Sequence, residues 1–195
     1  MTFPHEFELA ERELAQRLAQ FRHDLRAVGD APPRATLEAL VARAAELELL
    51  EDEIREELAQ LRACLEGLDL KADLLRGELP SVEAPDAFAI GETCHFACPA
   101  RFGRRRADQF GHLVLSSSAL RFRGALDISV VWSEVASVRC YGREIRVTLH
   151  DSSRVLRFSC QSPGEAARGG VIAEHLAHAG HPETARTTSP YQASL

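Results

Sequence analysis

Arg101, Arg104, Arg105 and Arg106 crowd around Phe102 and Gly103 and form the densest cationic cluster in the chain. Guanidinium groups present forked N–H donors that match phosphate and carboxylate oxygens, so the chemistry expected here is the capture of an anionic group. Cys94 and Cys98 are the next candidates, as a thiolate metal pair. If they lie on a strand, their sulfurs stand on one face roughly 13 Å apart, too far to share a zinc whose bonds are ~2.3 Å long. His175, His178 and His181 recur every third residue near the end of a helical pattern, where imidazoles complement the helix dipole without a metal. Ser116-Ser117-Ser118 has the chemistry of a turn, and nothing near it in sequence supplies a base. There is no nucleophile elbow, phosphate-cradling glycine loop, metalloprotease helix or convergent acid pair. The expectation is a non-enzymatic chain without metal or cofactor.

Charge narrows the partner. The net charge is −6, and no aromatic residue except Phe102 interleaves with the arginines, so a base-stacking platform for nucleic acid is not expected. Arginine outnumbers lysine 22 to 1, so some arginine clustering reflects composition; a solvated loop is the plain alternative for residues 101–106. The balance is also uneven along the chain, −8 over residues 1–80 and +2 over the remainder, which suggests two modules. No window approaches the ~18 apolar residues of a membrane span, and the amino terminus lacks a basic-then-apolar leader pattern. The expected location is cytoplasmic, with peripheral membrane contact, and the five cysteines are expected to be free thiols.

The elements that must position these residues follow from periodicity. Leu14, Leu18, Phe21, Leu25 and Val28 fall at spacings of four and three, the narrow seam of a helix packing side by side with another. Gly29-Asp30-Ala31-Pro32-Pro33 stops that helix and opens the next. The spacing predicts a second helix over about 34–76, with a seam running Leu37, Leu40, Ala44, Leu47, Ile54, Leu58, Leu61, Leu65, Leu68, Ala72, Leu75, interrupted at Glu51. At 1.5 Å per residue the helices span roughly 36 and 65 Å, so an antiparallel coiled-coil hairpin leaves the second helix uncovered beyond about residue 57. Leu58, Leu61, Leu65, Leu68 and Leu75 are therefore the expected oligomerisation surface, and a homodimer the expected assembly.

After the proline-bearing linker, residues 79–90, the period changes to two. Strands are predicted near 93–100, 111–116, 119–123, 126–132, 135–140, 144–150 and 154–160, with Leu120 and Phe122 set against Arg121 and Arg123, and Ile145, Val147 and Leu149 against Glu144, Arg146 and Thr148. The short connections imply an antiparallel meander. Ser162-Pro163-Gly164-Glu165 then forms a capping box that starts a helix to about His178. Residues 180–195 read as a polar, disordered tail.

Seven strands and a terminal helix, together with Gly91-Glu92, Gly-x-Leu-x-Leu-Ser at Gly111 to Ser116, Leu120 to Phe122 and Trp-x-Glu-Val-x-x-Val at Trp132 to Val138, resemble a GRAM or bacterial PH-like domain. The resemblance covers about 90 residues. It implies a seven-stranded antiparallel barrel closed at one end by its helix (91–179), which with the helical hairpin read from periodicity (1–78) makes the chain α+β. It also implies non-catalytic binding of phospholipid head groups or proteins, with Arg101, Phe102, Arg104, Arg105 and Arg106 in the loop where such domains often hold lipid phosphates. At about 1 kcal/mol per basic group near an anionic surface, four arginines supply roughly 4 kcal/mol, a millimolar affinity. Two copies joined by the arm would raise it through effective concentration. The function expected is that of an adaptor on anionic membrane lipid; the alternative is a protein–protein scaffold whose barrel binds a polypeptide.

Overall fold

A computed structural model of the chain describes residues 4–28, 32–47, 51–83, 92–103, 109–151 and 154–180. It divides into two compact units, Met1–Leu68 and Asp69–Leu195.

The first unit is built from α1 (Pro4–Ala27), α2 (Arg34–Ala45) and the greater part of α3 (Glu51–Leu75). The single helix expected over 34–76 is thus two. Breaking the helix lets Leu47 and Ile54 join one core with Phe21, Leu37, Leu40, Ala44, Leu58 and Leu61. Lengths now match: α1 has 24 residues and α3 has 25, about 36–38 Å each. Arg22 on α1 meets Glu57 on α3 at 3.0 Å, and Arg43 on α2 meets Asp24 on α1. Such surface pairs add little beside the buried leucines.

The seam thought to be left over is largely covered by this core. Leu58 and Leu61 are 8% and 2% exposed, Leu65 and Leu68 are half-buried against the same cluster, and of the five only Leu75 stands at the surface.

The second unit carries β1 (Cys94–Phe102), β2 (Gln109–Ser116), β3 (Ala119–Gly124), β4 (Ile128–Val131), β5 (Val135–Tyr141), β6 (Glu144–Leu149), β7 (Val155–Cys160) and α4 (Pro163–Ala179). All strand pairs are antiparallel, in the order β4-β3-β2-β1-β7-β6-β5. The two edges, β4 and β5, are consecutive in sequence and joined only by a 3-10 turn at Trp132–Glu134. Three residues reach about 10 Å at most, so the sheet must curl until its edges approach. The core shows the curl directly. Phe122 on β3 and Phe158 on β7 have ring centroids 5.9 Å apart, although three strand spacings of a flat sheet would separate them by about 14 Å.

The open side is closed by α4, whose Ala166, Ile172, Ala173, Leu176 and Ala177 join the barrel core. Its start is the capping box foreseen: Ser162 Oγ accepts from the Glu165 N–H at 3.2 Å, and Glu165 Oε2 accepts from the Ser162 N–H at 3.1 Å. Gly169 allows the close approach, since a methyl there would lie 2.8 Å from the Phe96 ring. At the β4–β5 corner the Trp132 indole N–H donates to the Ser116 carbonyl at 2.9 Å. Glu92 Oε1 accepts from Arg121 at 2.7 Å, tying the segment before β1 to β3; Gly91 lies outside the described residues, as does the tail from 181 onward.

Candidate functional site

Strand alternation separates the two described members of the arginine segment. Arg101 faces outward from β1, while Phe102 turns inward and is half-buried, its ring 5.8 Å from Phe122 and 5.4 Å from Phe158. Phe102 therefore seals the end of the barrel. Gly103 opens the β1–β2 connection at φ 107, a conformation that favours glycine, and its N–H donates to the Arg157 carbonyl at 3.1 Å. Arg104, Arg105 and Arg106 lie outside the described residues.

At the foot of that loop the outer face of the sheet forms an open cleft of about 470 Å³, lined by Arg101, Phe110, His112, Arg143, Ser159 and Gln161 among others. Register explains the assembly. Arg101 pairs with Phe110 and with Ser159, and Pro99 pairs with His112, so outward side chains of three adjacent strands converge. The β5–β6 turn contributes Arg143, whose carbonyl accepts from the Cys160 N–H at 2.8 Å and whose Nη1 donates to the Gln161 carbonyl at 3.2 Å. The Arg101 guanidinium lies 5.1 Å from the centroid of the Phe110 ring. Two guanidinium groups and an imidazole around an apolar floor can hold an anionic group. Arg143, His112 and Phe110 had no signal in the linear sequence, being brought to Arg101 by strand pairing.

Beside this cleft on β6, Glu144 accepts from Arg157 at 3.0 Å and from Arg146. Burial pushes its carboxyl up, but the two guanidinium groups more than offset this and hold it below the usual carboxylate range. A pKa lowered by folding stabilises the native state above the unfolded value of about 4.3, and the contribution disappears as pH falls through the folded value. Glu144→Gln should therefore lower the stability slightly at neutral pH, by about 1 kcal/mol or less, with the difference from wild type shrinking in thermal melts as the pH falls through the folded value. An equal difference at neutral and at strongly acidic pH would contradict the assignment.

The other candidates have local explanations. Cys94 and Cys98 are buried in β1; burial pushes the Cys94 thiol up, and the contact with Cys160, Sγ to Sγ 3.8 Å, together with burial does the same for Cys98. His178 Nδ1 hydrogen-bonds the Glu174 carbonyl at 2.7 Å, one turn back on α4. His175 and His178 border a groove of about 320 Å³ with Lys71, Leu74, Leu75 and Val171. Among the described residues no three metal-ligating side chains converge, and no helix is long and apolar enough to cross a membrane.

A seven-strand antiparallel sheet in which β1 pairs with β7 and the two edge strands are joined by a three-residue corner, capped by a C-terminal helix, is a PH-like fold. No family model and no curated protein matches the chain. Among solved structures it is similar to the N-terminal PH domain of human ARAP2, at 14% identity over 56% of this chain and 96% of that one, with a TM-score of 0.38. The C-terminal domain of an unknown protein from Leishmania infantum aligns at 17% identity over 44% of this chain and 86% of its own, TM-score 0.37. The DH/PH domains of PDZ-RhoGEF in complex with activated RhoA align at 9% identity over 84% of this chain, TM-score 0.42, and the chain spans 55% of their length. The fold class rests on strand order and closure, which stand without these likenesses.

Proposed function

We propose that the chain is a non-catalytic adaptor whose PH-like barrel binds anionic membrane lipid peripherally, through the arginine-bearing β1–β2 loop and the cleft at its foot. The motifs at Gly111 to Ser116 and Trp132 to Val138 support placing it on the GRAM branch of that fold. The observation that carries the reading is the convergence of Arg101, His112 and Arg143 on one open cleft beside a loop holding three further arginines. Self-association is the second part of the proposal. Because the chain's own core covers Leu58 and Leu61, it falls to Leu75, 84% exposed, and a monomer in sedimentation velocity at micromolar concentration would remove it.

The test is cosedimentation of the full chain with phosphatidylserine-containing vesicles. Wild type should pellet, less so at high salt, because exposed charges are screened. The Arg104→Glu, Arg105→Glu, Arg106→Glu variant should lose roughly a hundredfold in affinity or more, from about 1 kcal/mol per arginine. Equal sedimentation of the two proteins overturns the lipid reading. The groove of about 320 Å³ at Leu74, Leu75 and Val171 favours a polypeptide scaffold as the second reading. That reading gains if vesicles bind nothing and a polypeptide bound by the full chain is released by Leu75→Arg.

A further inference from the structure

Phe110 is 71% exposed, on a regular strand whose other apolar residues, Leu113, Val114 and Leu115, are fully buried. Its place is unusual in three respects. It follows the β1–β2 connection by one strand residue and stands directly opposite Arg101, whose guanidinium covers part of its ring. It borders the cleft that Arg143 and His112 also line, so an apolar ring shares one cleft with two guanidinium groups and an imidazole. And its backbone is held in a ladder on the β1 side, with β2 and β3 so close beside it that a methyl on Gly111 would lie 2.1 Å from the Arg123 carbonyl oxygen, and one on Gly124 2.3 Å from the Phe110 carbonyl oxygen. The β3–β4 turn, at the same end of the sheet by antiparallel pairing, exposes Leu126.

We infer that Phe110 is an apolar anchor that enters the interfacial region of an anionic bilayer while Arg101 and Arg143 meet the phosphate layer. The inference rests on the lipid reading above and adds to it a residue that works by burial. Cationic side chains are attracted to the anionic surface but stay at its water-facing side. An aromatic ring, by contrast, gains by leaving water for the acyl boundary, and it loses little conformational freedom in doing so. A fixed backbone has the same advantage as any preorganised contact, since little ordering remains to be done on binding. The chemistry around the ring selects the partner: the charge complements anionic lipid, and one protruding ring suits a fluid interface.

The test uses the full chain and vesicles of phosphatidylcholine with or without phosphatidylserine. Phe110→Ala should lower the partition coefficient onto phosphatidylserine-containing vesicles about tenfold, equivalent to about 1.4 kcal/mol, while the salt dependence keeps its slope. Because the ring is exposed, far-UV circular dichroism and the Tm should stay at wild-type values. Phe110→Trp adds a second indole to the buried Trp132, and its difference emission should shift to the blue on binding and be quenched by acyl chains brominated near the head group. Wild-type partitioning of Phe110→Ala, or an unquenched Phe110→Trp that still pellets, overturns the anchor and leaves the lipid reading standing. A wild-type chain that ignores both vesicles overturns the two together.

Discussion

Phe158→Ala is expected to cost the barrel about 3–5 kcal/mol, much of the 5–15 kcal/mol by which a domain is ordinarily stable. The side chain is fully buried on β7 and packs against rings from the β1–β4 side of the curled sheet, Phe102 on β1 and Phe122 on β3. Removing it leaves a void where curvature brings three strands' side chains to one point, and backbones fixed by ladder hydrogen bonds on both sides of β7 cannot close it. The chain has a single tryptophan, Trp132, buried in the same core, so its fluorescence follows the barrel alone in a urea titration of the full chain. The midpoint should fall sharply with the slope unchanged. Phe102→Ala should cost less, since its ring is only half-buried. A Phe158→Ala midpoint near wild type would mean that the three rings do not hold the curl.

Phe21→Ala is expected to have an effect of similar size on the helical unit, again about 3–5 kcal/mol. Among the described residues this is the one aromatic of that core, fully buried with Leu37, Leu40, Ile54 and Leu58. A unit of 68 residues buries a smaller share of its surface than a larger domain and has less stability to lose. Its helices depend on packing for most of their stability, so loss of the central ring should appear as helix melting. The readout is ellipticity at the helical minimum, which should fall at a lower temperature than in wild type. Trp132 emission reports the other core, which contains none of these residues. Unchanged ellipticity through the melt would contradict the role given to Phe21.

Much of the fold was legible because it is local. Period-2 alternation at Leu120 to Arg123 and at Glu144 to Leu149 marks strands whose two faces meet different environments, and β3 and β6 lie there. The capping box at Ser162 to Glu165 is legible for the same reason, since its donors and acceptors are three residues apart. The break between α2 and α3 was harder to read. A heptad count scores residues 34–76 as one seam because Leu47 and Ile54 fit it whether the helix is continuous or broken, and both join the core shared with Phe21.

The candidate site divides along the same line. The sequence by itself determined that a segment rich in guanidinium groups joins the first two strands and that no local catalytic motif accompanies it; that β1 runs on to Phe102, so that Arg101 and Phe102 take opposite faces, it did not. Only the tertiary structure decided that Phe102 plugs the barrel, that Phe110 stands exposed beneath Arg101, and that Arg143, 42 residues away, reaches the same cleft. Periodicity tells a side chain's face but not its neighbours. Those are set by strand register and by the curl that a three-residue corner forces on seven strands, and both are properties of pairings between residues far apart in the chain.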